Sequence, residues 1–98
     1  MAILNDVKAA LRISSTAYDT AEIQPLIDAA RADLILCGVL DTKAADDTDP
    51  LINRAIVTYV KANFGYNNPD ADRLQFCYEA IRNHLTMSIE YGGDTVVI

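Results

Sequence analysis

The sequence predicts an all-α fold, a compact bundle of about four helices followed by a flexible, strand-prone C-terminal tail. Three observations predict it. Apolar residues recur at helical spacing in four stretches, several stretches open on a capping residue or a cap followed by proline, and two of them stop at a glycine. The expected helices cover roughly residues 4–12, 20–37, 50–64 and 69–89. Residues 1–91 then form one helical domain and 92–98 a C-terminal arm.

The first helix comes from "LNDVKAALRI", with Leu4, Val7 and Leu11 on one face and Lys8 and Arg12 on the other. Asn5 or Asp6 can cap it. "SSTAY" ends it, because small hydroxyl side chains compete for backbone hydrogen bonds. The second helix opens at "DTAE", a capping-box variant with Asp19 as N-cap and Glu22 three residues on. Its stripe is Ile23, Leu26, Ile27, Ala30 and Leu34. Pro25 falls in the second turn of that helix, where a proline costs up to ~3 kcal/mol. We read a continuous helix bent there, the alternative being a regular helix that starts at Pro25. Gly38 is the expected stop, with Val39 folding back on the last turn.

"DTKAADDTD" reads as a solvated acidic connector carrying Asp41, Asp46, Asp47 and Asp49. Asp49 with Pro50 is a cap followed by a proline at the first helical position. In the third helix Leu51, Ile52, Ala55, Ile56, Tyr59, Val60 and Phe64 form the apolar face, while Asn53, Arg54, Thr58 and Lys61 face water, and Gly65 ends it. Asn68 and Pro69 repeat the cap-plus-proline device for the fourth helix, with Asp70 and Asp72 suited to the helix dipole. Leu74, Cys77, Tyr78, Ile81, Leu85 and Ile89 are its core stripe. Phe76, Ala80 and Met87 widen that face beyond the need of one neighbour. Either this helix packs on two sides, or Phe76 and Met87 belong to a surface between copies.

The apolar fraction of 51 % and charged fraction of 22 % are ordinary for a globular domain. No apolar run has the length of a membrane span and no signal-peptide pattern opens the chain, so a cytosolic, membrane-free setting is the expectation. Cys37 and Cys77 read as small buried hydrophobes. The net charge is −6, and the eight Lys and Arg residues are scattered along the chain, which argues against a protein that grips nucleic acid.

Groups that carry chemistry are sparse. His84 is the one histidine and has no carboxylate a helical turn away to orient it. One histidine and two remote cysteines do not make a metal cluster, and the acidic connector lacks the calcium-loop spacing and closing glutamate. A helix-turn-helix reading fails because the fourth helix begins with acids that would face phosphates. No enzyme and no cofactor are expected.

The order of "VK..LRI", a small linker, "D...I..LI.AA" and an aromatic-ended "LINRAIVTYVKANFGY" resembles the small head–tail connector proteins of tailed bacteriophages and prophages. The matching positions are Val7, Leu11, Ile13, Asp19, Ile23, Leu26, Ile27, Ala30, Ile56, Tyr59, Phe64 and Tyr66, spread through residues 3–89. The resemblance implies a helical protein that forms a ring, in the family typically dodecameric, under the portal protein. Such a ring extends the DNA channel and receives a tail-side connector or stopper protein, while DNA passes without specific binding. Its place would be the virion head–tail junction, reached from the host cytoplasm during assembly. The alternative from the residues alone is a small helical interaction module or dimeric regulator unrelated to virions.

The tail "EYGGDTVVI" sets a hinge, Gly92 and Gly93, before β-branched Val96 and Val97 and the terminal Ile98. Burying those three side chains gains ~1.5–3 kcal/mol each, and ordering the backbone costs ~1–2 kcal/mol per residue. The two nearly cancel, so Tyr91 to Ile98 is either a docking arm that orders only against a neighbouring subunit or the portal, or a frayed chain end.

Overall fold

A computed structural model describes residues 2–12, 22–46, 48–64, 69–88 and Tyr91. The helices are α1 (Ala2–Leu11), α2 (Gln24–Leu36), α3 (Asp41–Ala44), α4 (Pro50–Asn63) and α5 (Ala71–Met87), and no strand occurs among the described residues. The all-α expectation holds, with α1, α2, α4 and α5 as the four expected helices. The arm at 92–98, the Asp19 and Asn68 caps, the Gly65 stop and Asp47 lie outside the described residues.

α4 is the centre of the bundle. α1, α2 and α5 all pack on it, and α3 packs on α2. The core follows from the stripes: Val7 of α1, Ile27, Ala30 and Leu34 of α2, Ile52, Ala55, Ile56 and Val60 of α4, and Tyr78 and Leu85 of α5 are buried. Ile3, unassigned in the sequence reading, is buried as well, because α1 begins at Ala2 rather than at residue 4. Leu51 departs the other way: it was expected in the core and is exposed, since it sits in the first turn of α4 at the end of the bundle.

The helix ends show why the elements stop where they do. Arg12 adopts a positive φ of 61° directly after α1, which takes the chain out of the helix. The regular part of α2 starts at Gln24, with Pro25 in its first turn. Glu22 and Ile23 lead into it through a wider π-helical turn. The proline is accommodated by its position in the first turn of the regular helix, where a missing N–H costs little, and the expected helical residues 20 and 21 lie outside the described residues. At the other end Gly38 (φ +116°) closes a Schellman turn. The Val39 N–H donates to the Leu34 carbonyl at 2.9 Å and the Gly38 N–H to Ile35 at 3.0 Å. Val39 thereby turns back into the core, as expected.

α4 begins as the sequence requires. The Asp49 carboxylate accepts from the Leu51 and Ile52 N–H groups at 2.9 and 3.3 Å, and Pro50 follows. α5 begins at Ala71, two residues later than Pro69, which lies in a turn. The acidic connector is not wholly irregular, because its "DTKA" forms the one-turn α3, held down by the buried Ala44.

Candidate docking surfaces

The body is braced by polar contacts between helices distant in sequence. The Asn53 amide of α4 donates to Asp6 of α1 at 2.9 Å. Asp33 of α2 accepts from the Tyr78 hydroxyl at 2.5 Å and from Arg82 of α5 at 3.0 Å. Tyr78 also meets Tyr59 of α4 edge to face, with ring centroids 5.0 Å apart. Burial, and then the Asp33 carboxylate, push the Tyr78 hydroxyl well above the usual phenol range. The hydrogen bond to Asp33 raises Arg82 likewise. This cluster sits between packed helices. It reads as a structural tie.

α5 leaves its outer face uncovered. Phe76 is 72 % and Met87 83 % exposed, and Ala80 is exposed on the same face, at i+4 from Phe76. The widened apolar face is therefore free surface and not packing on two sides, because the central position belongs to α4. A second apolar area gathers where α2 and α5 end. Gly38 lies beside Thr86, 3.9 Å from where its Cβ would be, and Ile35, Leu36 and Leu40 are exposed nearby in sequence. Cys37 is exposed there too, so only Cys77, half-buried, comes near the expected burial.

Tyr91 is drawn into the body. It is 8 % exposed, its hydroxyl donates to Asp49 at 2.9 Å, and its carbonyl accepts from the Leu40 N–H at 2.8 Å. The Lys43 ammonium stands 5.4 Å from its ring centroid. Tyr91 thus clasps α3 and the start of α4 together, a use that the docking-arm expectation for this residue did not contain. Asp46 shapes the same region. It accepts from the Thr48 hydroxyl at 2.6 Å and the Thr48 N–H at 2.9 Å, which holds its carboxyl below the usual range. Asp41 is exposed in the first turn of α3.

The positive charges are less scattered than their sequence positions suggest. Arg54 and Lys61 of α4 and Arg73 of α5 line one open groove of about 300 Å³, floored by Ala10, Val57, Leu74 and Cys77. The signal was available in part: Arg54, Thr58 and Lys61 follow i, i+4, i+7 on one face of a helix. Arg73 comes from another helix, and only the α4–α5 packing brings it there.

Among the described residues no three His, Cys, Asp or Glu side chains group as a metal site. His84 is exposed. No helix among the described residues is long and apolar enough to cross a membrane. The described residues present an exposed apolar face, a basic groove and an acidic turn on a helical body. No curated protein and no solved structure matches the chain. A family model described as phage connector protein matches residues 3–92, nearly its whole length, and so spans all five helices. This helical chain belongs to the phage connector protein family.

Proposed function

We propose that the protein is a head–tail connector that assembles as a ring beneath the portal, extends the DNA channel and offers a docking surface to a tail-side component. The family match over residues 3–92 carries this reading. The uncovered apolar face of α5 supports it, since exposed Phe and Met side chains on one helix face suit a contact between chains. The net charge of −6 supports passage of DNA without adhesion, because a ring repeats that charge around its channel. Residues 92–98, with Gly92, Gly93, Val96, Val97 and Ile98, are the proposed arm that orders on a neighbouring subunit or on the portal.

Removing the gene from its phage tests the reading. DNA-filled heads and free tails should accumulate, and the purified protein should join them in an extract. Normal particle yield without the gene refutes the role. A stable dimer that has no effect on heads would instead support the small interaction module. Deletion of residues 92–98 should leave the helical circular dichroism intact and abolish head joining. Unimpaired joining removes the arm from the account.

A further inference from the structure

We infer that the basic groove between α1, α4 and α5 receives the acidic α3 turn of a second copy of this chain, so that neighbouring subunits meet head to tail. The groove gathers Arg54, Lys61 and Arg73, three of the eight Lys and Arg residues in a chain of net charge −6, and among the described residues no acidic side chain lines it. Asp70 approaches Arg73 to 3.7 Å, but both side chains are more than half exposed, and such a pair neutralises little. The floor is apolar and half-buried, from Val57, Leu74 and Cys77. That combination of apolar floor and charged rim fits a protein turn better than a phosphate backbone. Three cations on an acidic protein would also give duplex DNA little purchase, because that affinity grows with the number of phosphates neutralised.

The complementary surface is present on the same chain. Asp41 is exposed on α3, and Asp46 follows in a turn fixed by its two hydrogen bonds to Thr48. The turn is further clasped by Tyr91, bonded to Leu40 and Asp49. An acidic turn held in one shape loses little freedom on docking. The groove and the turn are unlike patches, so the contact they make is heterologous, and heterologous contacts generate rings when the rotation closes. The ring itself rests on the connector reading; the pairwise contact does not.

A charge swap tests the contact. R54E/R73E makes the groove acidic and D41K/D46K makes the turn basic; all four side chains lie at the surface or the rim of a turn, and helical circular dichroism checks each fold. Self-association is read by sedimentation in low salt, up to millimolar protein. The wild type should associate, and more weakly as salt rises. Each variant alone should lose at least about tenfold in affinity. An equimolar mixture should regain it, since each variant then supplies the surface that the other lacks. The inference fails if the wild type stays monomeric, if either variant associates as the wild type does, or if the mixture gains nothing. It also fails if R54E/R73E loses only retention on duplex DNA, which would make the groove a nucleic-acid site. Head completion is scored on the same proteins. A wild type that obeys the swap but completes no heads overturns the connector reading and leaves the contact standing. Variants that complete heads as well as the wild type, without the swap pattern, do the reverse.

Discussion

Asp49 serves two structures at once, and replacing it with alanine should show both. Its carboxylate caps α4 through Leu51 and Ile52 and accepts the Tyr91 hydroxyl at 2.9 Å. Losing the cap costs ~1 kcal/mol. Tyr91 is 8 % exposed, so its hydroxyl would be left short of a partner at a cost of ~1–3 kcal/mol. The two effects together amount to about 3 kcal/mol, which in a domain this small lowers Tm by about 12–24 °C. Asp49→Asn keeps the cap and an acceptor and should cost under ~1 kcal/mol. Tyr91→Phe removes only the hydroxyl and should cost about 1 kcal/mol. Denaturant unfolding followed by circular dichroism gives all three values and the double mutant. A coupling of about 1 kcal/mol between Asp49→Ala and Tyr91→Phe is expected for groups in direct contact. If the two changes simply add, the clasp does not exist in solution.

Three further outcomes are expected. Tyr78 has a folded pKa raised above its ordinary value of 10.0, so the unfolded chain loses that proton first as pH rises and stability should fall above about pH 10. Phenolate absorbance should show this tyrosine resisting titration until the protein unfolds, and Tyr78→Phe should remove its share of the alkaline loss; an unchanged alkaline profile contradicts the burial of Tyr78 against Asp33. Gly38→Ala meets no clash, its new Cβ lying 3.9 Å from Thr86, but the φ of +116° should cost ~1–2 kcal/mol in denaturant unfolding. Phe76→Ser with Met87→Ser should change monomer stability by under ~1 kcal/mol because both side chains are exposed, yet lower the yield of joined heads in extract complementation.

What could be read from the sequence is what local rules decide. Asp49–Pro50 opens α4 and Gly38–Val39 closes α2 because caps and Schellman turns involve neighbours a few residues apart. The stripes gave the core because three helices dock on one, each with a single apolar face. The rest depended on distant partners. Asp33 finds Tyr78 and Arg82 across 45 and 49 residues, and no spacing rule reaches that far. α3 was hidden in an acidic connector because a single turn is too short to stand alone and is held by Ala44 and by Tyr91. Of the residues expected at docking surfaces, Phe76 and Met87 are exposed, while Tyr91 is taken up by the body. The basic groove is not legible in residue spacing because its third cation arrives on another helix.

The central position of α4 has a mechanical consequence. Asp49, at its cap, anchors the acidic turn, while Arg54 and Lys61 lie further along the same helix at the groove. At 1.5 Å per residue, Asp49 and Lys61 stand about 18 Å apart along one stiff rod. In a collar closed through these two surfaces, the step from one subunit to the next is gauged by helical rise and not by loop length. Within each subunit of such a collar that distance would be stiff, because α4 is braced by the three helices packed on it.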